Sequence, residues 1–97
     1  MTQKDIRNLQ SVGKSAFVNH FSLYQRYSSG AISLDDAVNQ HLIIGLSNSS
    51  GARIRLSNAK VLFGNGIEFK ALFNIVNSKR VHILIKQKAV KILKEYG

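Results

Sequence analysis

Residues 47–66 read SNSSGARIRLSNAKVLFGNG. On a helix turning about 100° per residue, Ala52, Leu56, Ala59 and Phe63 fall in one narrow sector and Leu62 borders it. Arg53, Ser57 and Lys60 fall on the opposite side, Ile54, Asn58 and Val61 lie beyond them, and Arg55 sits at the edge. This period predicts a helix over about residues 51–63, capped by Ser49 or Ser50 and stopped by Gly64-Asn65-Gly66. A helix with one apolar stripe needs neighbours to cover it, and the flanking sequence offers them.

Upstream, Ser33 is a good N-cap, and Asp35 and Asp36 stand in the first turn, where negative charge suits the helix dipole. Asp36 takes the place where a capping box carries Glu or Gln. Leu34, Ala37, Val38, His41 and Leu42 form the stripe of a helix over about residues 34–44, ended by Gly45. Val12, Ala16, Phe17, Phe21 and Tyr24 keep helical spacing and predict one helix over about residues 11–28, with Gly30 as its C-terminal cap. Residues 1–10 are polar and are expected to be a flexible segment ahead of a single domain spanning 11–97.

Downstream, residues 67–77 are apolar around most of a helical circumference, the pattern of a central helix. In the last stretch Val81, Ile83 and Ile85 alternate, which leaves a short strand open over 81–85. Ile85, Ala89, Ile92, Leu93 and Tyr96 keep helical spacing and favour a helix over about 82–95. With no proline to break any segment, the expected fold is all-α, a compact bundle of about five short helices.

The totals narrow the functional classes. Ninety-seven residues fit one domain with a small core. No apolar run reaches about 18 residues, so no membrane span is expected. The polar opening lacks the apolar stretch of a secretory leader, which predicts a cytoplasmic protein. The absence of cysteine excludes disulfides and thiolate metal sites.

Charge is the informative total. Fourteen Lys and Arg stand against five Asp and Glu, for a net of +9. Residues 1–50 hold four basic and three acidic residues, a net of +1, whereas residues 51–97 hold ten and two, a net of +8. So asymmetric a charge points to a polyanion, and double-stranded DNA is the first expectation.

Residues 33–64 then resemble a helix-turn-helix reader: a helix, a turn, and a second helix with a basic outer face. The connection GLSNSSG, about seven residues, is longer than the usual three or four. The resemblance implies that Arg53 pairs with guanine, Asn58 with adenine and Ser57 with either. Ser49, Ser50 and the N–H groups at the helix start can hold a phosphate, and Lys60 suits the backbone. Lys79, Arg80, Lys86, Lys88, Lys91 and Lys94 extend a basic track of point charges. The expected function is therefore a small DNA-binding regulator of transcription or accessory factor, paired as a homodimer to double its phosphate contacts. The alternative is an inhibitor or adaptor that docks on an acidic partner protein, with Ile54 and Val61 central to the interface and Arg53 as anchor.

Other motifs have plainer accounts. Gly13-Lys14-Ser15 looks like the end of a phosphate-binding loop, but position 8 is Asn where that motif needs Gly, and no strand leads in. His20, His41 and His82 lack ligand spacing and read as packed or surface residues. Asp35 and Asp36 are neighbours that do not face each other on a helix, so they form no catalytic dyad. No catalytic residue, metal or cofactor is expected. Most of the Phe and Tyr side chains lie on apolar stripes, leaving Tyr27 and Tyr96 as the aromatic residues open to stacking.

Overall fold

The computed structural model describes residues 1–45 and 48–96. Among them the chain is all-helical, with seven helices and no strand: α1 (Gln3–Val12), α2 (Lys14–Asn19), α3 (Phe21–Ser28), α4 (Leu34–Ile43), α5 (Ser49–Gly64), α6 (Glu68–Val76) and α7 (Ile83–Tyr96). The all-α class is as expected. The count exceeds five because the N-terminal third is divided more finely than its stripe suggests.

Residues 1–10, expected to be a flexible lead-in, are mostly helical. A capping box nucleates α1: Thr2 Oγ1 accepts from the Asp5 N–H at 3.1 Å, and Asp5 Oδ2 accepts from the Thr2 N–H at 3.0 Å. These bonds hold the Asp5 carboxyl below its ordinary value. Leu9 and Val12 then point into the core with no exposed surface; Val12, expected on the stripe of the following helix, belongs to α1 instead. The expected single helix over 11–28 is broken at Gly13, where φ is +92°, and again at His20, where the backbone leaves helical geometry between α2 and α3. Gly13 is required here. An L residue is strained at that angle, and a Cβ would stand 2.9 Å from Nη1 of Arg55.

At the centre lies α5, packed against α1, α3, α4 and α6. Ala52, Leu56, Ala59 and Leu62 are fully buried, and half-buried Phe63 sets its ring 5.8 Å from Phe17 and 5.2 Å from Phe21. Phe17 in turn stacks on Tyr24 at 6.3 Å. The cap of α5 is Asn48, whose Oδ1 accepts from the Gly51 N–H at 2.8 Å, rather than Ser49 or Ser50. Asn is as good a cap as Ser and starts the helix earlier. Leu46 and Ser47 of the expected connection lie outside the described residues. At its far end the Ile67 N–H reaches back to Leu62 O at 3.1 Å and the Gly66 N–H to Phe63 O at 3.0 Å, a reversal that uses φ +69° at Gly66.

The helix expected to be central, α6, is peripheral. Ala71, Leu72 and Ile75 are buried, but Phe73 keeps 58% of its surface in water beside exposed Lys70 and Asn77. Its main neighbour is α7, which also lies on α2. The alternative of a strand over 81–85 is not realised: Ile83 and Ile85 are in the first turn of α7, where the Leu84 N–H donates to His82 Nδ1 at 3.1 Å. The other end of α7 is held by Tyr96, its ring 5.9 Å from Phe21.

Candidate nucleic-acid interface

The residues singled out in the sequence fall into two groups. Ser49, Ser50, Arg53, Ser57 and Lys60 are all exposed on α5. Arg53, Lys60 and Ser49 lie on the flank of the buried sector, Ser50 and Ser57 lie further round, and Ile54 and Val61 stand directly opposite it. Their local engagements limit them. Arg53 Nη2 is 3.9 Å from Asp35 Oδ1 of α4, an exposed pair worth little in water. Lys60 Nζ stands 5.4 Å from the ring centre of Tyr27, a cation–π contact with α3. Half-buried Asn58 turns its amide back to donate to Ile54 O at 2.8 Å, away from any partner in solvent. Ile54 and Val61 remain exposed on the adjoining strip.

The second group lies on the hairpin of α6 and α7. Lys79 and Arg80 are exposed in the turn between the two helices, and Lys88, Lys91 and Lys94 are exposed on α7. Lys86 differs: it is half-buried on the flank of α7, since it lies three residues before buried Ala89. Lys88 Nζ donates to Asn19 Oδ1 of α2 at 2.9 Å, tying α7 to α2. One carboxylate, Glu95, joins the outward face at its C-terminal end. Ile83, Leu84 and Gln87 on this helix are not among the site residues expected from the sequence. All three are exposed, the two apolar residues at 59% each. The signal was present in their spacing, because 84, 87, 88, 91 and 94 follow one helical face. An open trough of about 570 Å³ is lined by His82, Leu84, Ile85, Gln87, Lys88 and Lys91.

Several polar residues are structural. Lys14 of the Gly-Lys-Ser sequence donates from Nζ to Ser78 Oγ at 2.8 Å, and that hydroxyl donates to Asn74 O at 2.7 Å, so the lysine fastens α2 to the end of α6. Arg55 donates from Nη1 to Val12 O and closes the C-terminus of α1. His41 is buried and hydrogen-bonded through Nε2 to the Tyr24 hydroxyl at 2.9 Å. Burial pushes the Tyr24 phenol up to about 12, with Arg55 opposing, and pulls the His41 imidazole below its ordinary value, with Arg55 and His20 acting in the same direction. Both groups stay neutral near pH 7. His20 is lowered too, by burial first and Lys88 second. Among the described residues no group of three or more His, Cys, Asp or Glu is placed to hold a metal ion, and no helix is long and apolar enough to cross a membrane.

No family model, curated protein or solved structure matches the chain.

Proposed function

We propose that this is a small cytoplasmic protein that binds double-stranded DNA, acting as a regulator or accessory factor without catalysis of its own. The observation that carries the reading is the concentration of charge: a net of +8 over residues 51–97, with Lys79, Arg80, Lys91 and Lys94 turned to solvent on one helical hairpin and Lys88 beside them bonded to Asn19. Such cations displace the counterions condensed on a duplex, which is the main source of sequence-independent affinity. Arg53 and Lys60 of the α4–α5 pair offer a second, shorter strip, already in contact with Asp35 and Tyr27. Two-fold pairing of such domains would double the phosphates reached.

The test is anisotropy of a labelled random duplex titrated with the protein from about 50 to 200 mM salt, where affinity falls by about 0.9 log units per log unit of salt for each phosphate neutralised. A log–log slope of about −4 or steeper is expected. No binding at about 50 mM salt would overturn the reading. The second reading, an inhibitor or adaptor on an acidic protein, would then take its place. It is favoured by large apolar side chains left in water at the end of α4 and on α5: Leu42, Ile43, the capping residue Ile44, and Ile54.

A further inference from the structure

Resting on that DNA-binding reading, we propose that α7, and not α5, is the helix that enters the major groove, and that Gln87 and Leu84 read an A·T pair and its neighbour there. The major groove is about 12 Å wide, and a helix with its side chains is about 10–12 Å across, so a reading helix must project from its own domain. Helix α5 is flanked by α1, α3, α4 and α6. Helix α7 packs mainly on α6 and α2 and fully buries a single residue, Ala89.

The chemistry of the two outward faces differs in the same sense. On α5 Arg53 leans toward Asp35 and Asn58 donates to Ile54 O, while Ser57 stays exposed. On α7 the first two turns present Ile83, Leu84 and Gln87, all exposed, followed by Lys88, Lys91 and Lys94. Helix α7 exposes two adjacent large apolar side chains, Ile83 and Leu84, at 59% each beside Gln87, where α5 exposes Ile54 at 57% and, further along, Val61 at 39%. A groove-reading face has a use for such side chains. Gln pairs through two bonds with adenine N6 and N7, and an apolar side chain covers the thymine methyl. These residues stand at the start of the helix, the part that meets base edges in helix-turn-helix docking. The turn before it carries Lys79 and Arg80, placed for phosphates at the groove edge, while Lys91 and Lys94 follow the backbone beyond. The working unit is therefore α6, turn and α7.

Selection from a randomised duplex pool gives the enriched site, and anisotropy then compares that site with a random duplex for the wild type, Gln87→Ala, and Arg53→Ala with Ser57→Ala. Gln87 is exposed, so its substitution leaves the core intact, and circular dichroism verifies the fold. The expected result is an enriched site containing adenine, about tenfold weaker binding of that site by Gln87→Ala, and unchanged binding of random duplex. The α5 double variant should keep the preference. Loss of preference in the α5 variant with Gln87→Ala unaffected would overturn the inference and return base reading to α5. Binding without any enriched site would also overturn it, while leaving the DNA-binding function standing. Absence of binding to every duplex at about 50 mM salt would overturn both.

Discussion

The guanidinium of Arg55 donates to the backbone carbonyl of Val12, a residue 43 positions earlier in the chain. The bond satisfies a carbonyl that the end of α1 leaves without an intrahelical partner. It also fastens α1 to the central helix at the point where the chain turns at Gly13. Arg55 thus spends its charge inside the fold. Replacing it with Ala should cost about 1.5–3 kcal/mol, the range for a hydrogen bond to a charged donor. Urea denaturation measures this. A midpoint unchanged from wild type would show that the bond contributes nothing.

Gly13→Ala tests the same junction from the other side. The new Cβ would meet Arg55 Nη1 at 2.9 Å, and φ of +92° is strained for alanine whatever the space. Backbone strain of this kind costs about 1–3 kcal/mol. The expected loss in the same urea experiment should be less than additive with Arg55→Ala, since both changes act on one contact. Fully additive losses would separate the two effects.

How far the sequence discloses this fold depends on where the partners lie. The stripes of α4, α5 and α7 are legible because each repeats within its own helix, and Ala52, Leu56 and Ala59 are buried as the period predicts; at the stripe edges packing decides, burying Leu62 fully where Phe63 is half-buried and leaving Leu42 exposed. The breaks at Gly13 and His20 are not legible. The apolar spacing runs through both without a proline, and the chain turns there so that α2 meets α7 and α3 meets α5. Helix α6 reads as central because apolar residues surround it, but composition does not say that Phe73 stays in water. The candidate site divides in the same way. The basic half is visible as a count. Which cations are engaged is not: Lys14 meets Ser78 and Lys88 meets Asn19, partners 64 and 69 positions away. The local engagement of Asn58, its amide folding back on Ile54 O, is not legible from the period either.

The cations of the α6–α7 hairpin should act as independent phosphate contacts. Lys79→Ala, Arg80→Ala and Lys91→Ala are each expected to weaken binding to every duplex alike and to lower the salt slope by about 0.9 where one phosphate contact is lost. All three residues are exposed, so thermal stability should be close to wild type. Lys14→Ala supplies the contrast, because its ammonium is engaged with Ser78. It should lower the melting temperature and leave the slope alone. A slope change from Lys14→Ala equal to that from Lys91→Ala would mean that binding follows net charge and not a placed surface.

Acid should weaken the fold through its buried histidines. His41 and His20 both titrate below their ordinary value of 6.5, chiefly because burial disfavours the imidazolium. As pH falls, the unfolded chain takes up these protons first, and proton uptake by the unfolded state lowers stability. The stabilisation is whole above about pH 6.5 and is lost as pH drops from there toward the folded-state values. Asp5 belongs to a lower window, since its carboxyl lies below 3.8 in the folded chain. Melting curves between pH 7.5 and pH 5 therefore cover the window of these two histidines and stay above that of Asp5. The melting temperature should fall across that interval for the wild type and fall less for His41→Gln, even if that variant begins from a lower value through loss of the imidazole bonded to Tyr24. A wild-type melting temperature that holds constant down to pH 5 would refute the burial argument, because an imidazole that protonates equally in both states places no penalty on the fold.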